Sequence, residues 1–167
     1  MFSGKTEELI KQLKEANLAN QKTLIVKPKI DSRYEKNKIV SHNNTSLDCM
    51  PIDSSKEIIK LVQDVKVVGI DEAQFFDSNI TDVCQKLIDK GIQVIVAGLD
   101  MDYKKNPFGQ MPNLLSMADK ITKLRAECHN CGQPANFSYR ISEENNQQIM
   151  LGEKKEYEAR CRNCYDR

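Results

Sequence analysis

Val65-Lys66-Val67-Val68-Gly69-Ile70-Asp71-Glu72 is the stretch that decides the fold: one apolar strand that delivers two adjacent carboxylates. A strand this apolar suits burial on both faces, the environment of a parallel sheet between helix layers. Thr23-Leu24-Ile25-Val26, expected to stop at Pro28, and Ile92-Gln93-Val94-Ile95-Val96-Ala97 repeat the pattern upstream and downstream. Helical spacing separates them. From Thr6 to about Asn20, Leu9, Ile10, Leu13 and Ala16 or Ala19 recur at three- and four-residue intervals. Ser55 to Gln63 and Ile80 to Lys90 read as two further helices, the latter closed by Gly91 in a C-cap position. The polar run Lys29 to Ser46 reads as a long loop, Asn113 to Ala118 as a helical stretch, and Lys120 to Leu124 as a last strand.

This alternation predicts an α/β core with a parallel sheet, whose ligands bind beyond the carboxyl ends of the strands. Asp71, Glu72 and Asp100 fall at two such ends. After Arg125 the rhythm gives way to paired cysteines, tyrosine, phenylalanine and polar residues. The expected division is therefore a core over residues 1–125 and a small second lobe over residues 126–167.

Composition narrows the functional classes. With 25 Lys and Arg against 24 Asp and Glu, the net charge of +1 offers no basic excess for a nucleic-acid backbone. No apolar run approaches the ~20 residues of a membrane span, and no signal peptide is visible, so a cytoplasmic protein is expected. Six cysteines then call for an explanation in a reducing compartment. Cys128-His129-Asn130-Cys131 and Cys161-Arg162-Asn163-Cys164 are two matched pairs that suit tetrahedral Zn²⁺, with Gly132 helping the first pair to turn. Their separation exceeds the ribbon spacing of about 15–20 residues, which predicts a loop thrown out between two strands. A redox dithiol is the competing reading. Cys49 and Cys84 are isolated and are expected to pack.

The chain opens Met1-Phe2-Ser3-Gly4-Lys5-Thr6 and passes directly into a helix, the end of a phosphate loop G-x-x-x-x-G-K-[ST]. In that loop Gly4 lets backbone N–H groups close on phosphate, Lys5 reaches the β- and γ-phosphates, and the Thr6 hydroxyl meets Mg²⁺. The bland alternative is an ordinary N-terminal helix preceded by glycine. With a phosphate loop upstream, Asp71 would hold Mg²⁺ and Glu72 take a proton from an attacking hydroxyl; alternatively the pair only caps a turn. Between the cysteine pairs, Phe137-Ser138-Tyr139-Arg140, Ile149-Met150-Leu151-Gly152 and Tyr157 either form a small pocket or pack the ribbon.

These pieces, joined in order by Asp31-Ser32-Arg33-Tyr34, Asp71-Glu72-Ala73-Gln74-Phe75-Phe76, Gly98-Leu99-Asp100-Met101-Asp102-Tyr103 and Pro107-Phe108-Gly109, resemble the type II thymidine kinases from Met1 to Cys164. The resemblance implies a RecA-like phosphate-loop core plus a zinc ribbon whose excursion, the lasso, closes over thymidine. It implies transfer of phosphate from ATP to the 5′-hydroxyl, giving dTMP and ADP for DNA precursor synthesis. Glu72 looks like the general base. Met1, Phe2, Ser3, Gly4, Lys5, Thr6, Asp31, Ser32, Arg33, Asp71, Glu72, Ala73 and Gln74 match the ATP- and Mg²⁺-binding positions. Met1, Phe75, Leu99, Tyr103, Ser138, Gln148, Ile149, Met150, Leu151, Gly152 and Tyr157 match the thymidine-binding positions, Ser138 standing where threonine is common. Cys128, Cys131, Cys161 and Cys164 match the zinc ligands, and the family suggests a homotetramer. One departure stands out: the first glycine of the phosphate loop would lie two residues before Met1, and its strand before that. A 167-residue form is therefore expected to be less stable and less active than one extended upstream. Two other readings compete: a RecA-like ATPase in which Glu72 activates water, and a non-enzymatic zinc-ribbon binding module.

Overall fold

In a computed structural model the described residues are 2–31, 37–40, 45–141 and 156–166. The central sheet has four parallel strands, with Val67–Ile70 (β5) and Thr23–Pro28 (β1) inside, flanked by Met50–Ile52 (β4) and Gln93–Val96 (β6). All four residues of β5 are buried, as its unbroken apolar sequence requires.

Helix α1 (Lys5–Leu18) lays Leu9, Ile10, Leu13 and Ala16 on one face of the sheet against Ile25 and Val67. It sits close because position 69 carries no side chain: a Cβ on Gly69 would meet Leu13 Cδ1 at 2.7 Å. A larger residue there would force the Leu13 side chain to shift. On the other face Ile58 of α2 (Ile58–Leu61), Ile80, Val83 and Leu87 of α3 (Ile80–Asp89), and Met111 and Leu114 of α4 (Met111–Met117) cover Val26, Val68 and Ile70. Burial of each such side chain stabilises the fold by roughly 1.5–3 kcal/mol.

Strand β1 ends at Pro28 as expected; lacking an N–H, the proline still takes a parallel register with Ile52 at the strand's end. Two expectations from sequence need correction. First, the polar run 29–46 is not loop throughout. Lys38–Val40 (β2) pairs antiparallel with Ser46–Asp48 (β3), burying Ile39 on a short ribbon. Second, residues 120–124 form no strand. Among the described residues no partner is paired with them, and Ile121 is left 55% exposed.

Beyond residue 125 two small antiparallel sheets follow, Ala126–Glu127 (β7) with Pro134–Ala135 (β8), and Phe137–Arg140 (β9) with Tyr157–Arg160 (β10). A one-turn helix, Arg162–Tyr165 (α5), ends the described chain. The expected excursion runs between β9 and β10, and residues 142–155 lie outside the described residues.

Candidate active site and cysteine cluster

Gly4 adopts φ 76 and ψ 22 and caps the N-terminus of α1, presenting that end of the helix at the carboxyl edge of the sheet. One turn in, Thr6 Oγ1 donates to Asp71 Oδ2 at 3.1 Å. Asp71 leaves the end of β5, its N–H bonded to the Val26 carbonyl at 3.0 Å, and its Oδ1 accepts the Glu72 N–H at 3.0 Å. Burial, and then the charge of Glu72, push its carboxyl up to about 7, against the opposing pull of Lys5 and Thr6. A buried carboxylate beside a hydroxyl is a hard oxygen pair that suits Mg²⁺.

Glu72 stands at φ 49 and ψ 43, a left-handed conformation unusual for its residue type and typical of strained functional positions. The turn that follows is pinned where Ala73 donates to the Ala97 carbonyl at 3.0 Å. Gln74 is buried, and its side chain bridges Glu72 and the backbone of Leu99. Phe75 meets Phe108 edge-on, with ring centroids 5.5 Å apart.

The segment after β6 is built around Asp102. Its carboxylate accepts the N–H groups of Lys104 at 2.8 Å and Asn106 at 2.9 Å, shaping a tight loop that displays Tyr103. The Tyr103 carbonyl accepts the Tyr165 hydroxyl. Over the Tyr103 ring lies the Arg140 guanidinium, 3.6 Å from the centroid, and Arg140 Nη2 donates to the Tyr157 hydroxyl at 2.8 Å. From sequence, Arg140 stands only as part of a stretch that either forms a small pocket or packs the ribbon. The alternation of β9 was the available signal, since Ser138 and Arg140 share one face and are both buried.

The expected residues thus fall into groups. Lys5, Thr6, Asp71 and Glu72 gather where α1 begins and β5 ends; Phe75, Leu99 and Tyr103 lie on the segments after β5 and β6; Ser138 and Tyr157 lie on β9 and β10. Phe2 packs against the cysteine lobe. Ser3 precedes the cap, and Asp31 is buried just past β1. Met1, Ser32, Arg33, Gln148, Ile149, Met150, Leu151 and Gly152 lie outside the described residues.

Cys128, Cys131, Cys161 and Cys164 converge, each offering a sulfur and all within 4.8 Å of one another. Cys131 and Cys161 Sγ are 3.7 Å apart, close to the edge of about 3.8 Å in a tetrahedron with Zn–S bonds of ~2.3 Å. Gly132, at φ 70, returns its N–H to the Cys128 carbonyl at 2.8 Å and closes the first turn. Sulfurs this close oppose one another's ionisation. Hydrogen bonding to Cys131 and Cys161 pushes the Cys164 thiol up to about 12, whereas the Cys161 N–H leads in holding Cys128 down to about 6. A divalent cation takes all of them as thiolates and removes the conflict. The donor set fits zinc. Cys49 and Cys84 are buried elsewhere, as expected.

An α/β protein of phosphate-loop type, carrying a four-cysteine metal knuckle beside its ligand edge, is the class this fold and site define. The family model for thymidine kinase matches residues 1–165. Over 167 residues the chain is 52% identical to a thymidine kinase of Bacteroides fragilis, covering 100% of this chain and 83% of the relative. It is 53% identical over 165 residues to one of Bacteroides thetaiotaomicron (99% and 82% covered) and 47% to one of Rhodothermus sp. (99% and 77%). The chain belongs to the thymidine kinase family. Among the described residues no helix is long and apolar enough to cross a membrane.

Proposed function

We propose that this protein transfers the γ-phosphoryl group of ATP to the 5′-hydroxyl of thymidine. One observation carries the site assignment: Thr6, Asp71 and Glu72 meet where the phosphate-loop helix begins and the buried central strand ends. In this reading residues 1–125 are the kinase core and residues 126–167 the zinc-supported lobe.

Glu72 takes the proton of the 5′-hydroxyl as that oxygen bonds to the γ-phosphorus; the bond from phosphorus to the β,γ-bridging oxygen breaks, and ADP departs. Gly4 and the start of α1 offer N–H groups to the phosphates, and Lys5 places a positive charge on them. Mg²⁺, when bound with ATP, neutralises developing phosphate charge, and Asp71 with Thr6 would hold it. Phe75, Leu99, Tyr103, Ser138 and Tyr157 are assigned to the nucleoside; the family resemblance supports adding Met1 and Gln148 to Gly152 to that set, and assigning Asp31, Ser32 and Arg33 to the phosphates. The same reading takes the protein to be a cytosolic homotetramer, a state that light scattering can check; the family resemblance supports it.

The test is ATP-dependent phosphorylation of thymidine by the wild type and by Glu72→Gln. Removing a general base is expected to lower kcat by about 10²–10⁴-fold. A wild type without thymidine turnover sinks the function, and a full-rate Glu72→Gln enzyme removes the assigned base.

A further inference from the structure

Gln74 follows Glu72 by two residues and is only 3% exposed. Both ends of its amide are engaged. Oε1 accepts the N–H of Leu99 at 3.0 Å, and Nε2 donates to Glu72 Oε2. A backbone N–H can only donate, so the carbonyl end of the amide must face Leu99, and its NH₂ end is thereby turned onto the carboxylate. The orientation follows from the network.

Gln74 is closely packed at its backbone and at its side chain. A Cβ on Gly109, itself at φ +52, would lie 2.3 Å from the Gln74 backbone carbonyl oxygen, and one on Gly98 would come within 3.0 Å of Gln74 Oε1 and 2.6 Å of Met111 Sδ. Glu72 stands in a left-handed backbone conformation that a glutamate rarely adopts, and the Gln74 amide is a direct contact on its carboxylate.

We infer that Gln74 is a positioning residue: it sets the Glu72 carboxylate and ties it to the Leu99 segment, so that base and nucleoside are aligned by one buried amide. This replaces direct ATP or Mg²⁺ contact as the role of Gln74, and it rests on the function proposed above. The amide moves no proton itself.

Gln74→Glu, assayed at alkaline pH, isolates the idea, because it preserves size and the acceptor for the Leu99 N–H while the ionised carboxylate, unlike the protonated acid, cannot donate to Glu72. Gln74→Leu removes both bonds. Steady-state kinetics for each substrate, with thermal unfolding and bound zinc as checks on folding, supply the readout. Gln74→Glu should lower kcat by about 10- to 100-fold, the cost of misplacing a reacting group by about 1 Å, with KM for ATP changed less than about twofold. In a Glu72→Gln background the same substitution should add almost nothing. A folded Gln74→Glu enzyme with full kcat overturns the inference. So does a loss that saturating ATP restores, or one that adds fully to Glu72→Gln. Should Gln74→Leu fail to fold, Gln74→Glu decides; if that too loses its thermal transition or its zinc, Gln74 is structural and the inference falls. A wild type inactive on thymidine overturns both readings at once, whereas an active wild type beside a full-rate Gln74→Glu overturns only this one.

Discussion

Thr6 and Asp71, 65 residues apart in the chain, are joined by a hydrogen bond of 3.1 Å from the threonine hydroxyl to the aspartate carboxylate. The bond registers the first turn of α1 against the end of β5, bringing together the residues proposed above for phosphate and Mg²⁺. Thr6→Val keeps the shape and loses the hydroxyl. It should lower kcat/KM for ATP by about 10- to 100-fold, the range for a hydrogen bond to a charged group, while Thr6→Ser stays close to wild type. Initial rates against ATP concentration check it.

Asp77 clasps the segment after Phe76 to the start of α2. Its carboxylate accepts Ser55 N–H and Ser55 Oγ, both at 2.8 Å, Ser54 Oγ at 3.1 Å, and Asn79 N–H at 3.0 Å. Burial alone would raise its carboxyl, but the Ser55 and Asn79 donors outweigh burial and hold it far below its ordinary 3.8. A depressed folded-state value means the stabilisation is present above the unfolded value and lost as pH falls through the folded one. Asp77→Asn should therefore cost about 1–3 kcal/mol at pH 7, and its gap from wild type should close only below pH 3.8. Urea unfolding across pH measures this.

Arg140 ties β9 to the loop after β6, stacking on Tyr103 and donating to Tyr157. Arg140→Met keeps much of the packing and loses the charge. With a buried cation–π contact contributing up to about 2 kcal/mol, KM for thymidine should rise by about tenfold while KM for ATP stays put. Equal changes in both would show a global defect.

Cys131 is the exposed member of a cysteine cluster whose other members are buried. Cys131→Ser should abolish stoichiometric zinc binding, read by atomic absorption. Strong chelation of the wild type should unfold the lobe of β7 to β10, because metal-binding free energy there is folding free energy. Retained stability after zinc loss would separate the metal from the fold.

Local patterns carried far. The helical stripe of Leu9, Ile10 and Leu13, the apolar strand before Asp71, and the two cysteine pairs each announce themselves in a few consecutive residues, and the structure places them as expected. The ribbon of β2 and β3 was hidden because each strand is only three residues long and only Ile39 is buried in it, too little to make an alternation. The false strand at 120–124 had the reverse fault: its pattern was apolar enough, yet pairing partners are not written locally.

The amino-acid order by itself determined which reactive groups the chain carries: Gly-Lys-Thr at a helix start, adjacent carboxylates after a buried strand, and two matched cysteine pairs. These are properties of residue type and short spacing. Only the tertiary structure decided that the Gln74 amide turns toward Glu72, that Arg140 covers Tyr103, and that Thr6 reaches Asp71. The reason is that hydrogen bonds and ring contacts depend on distance and direction between elements far apart in the chain. Packing such as Leu13 against Gly69 sets that geometry, and no local pattern records it.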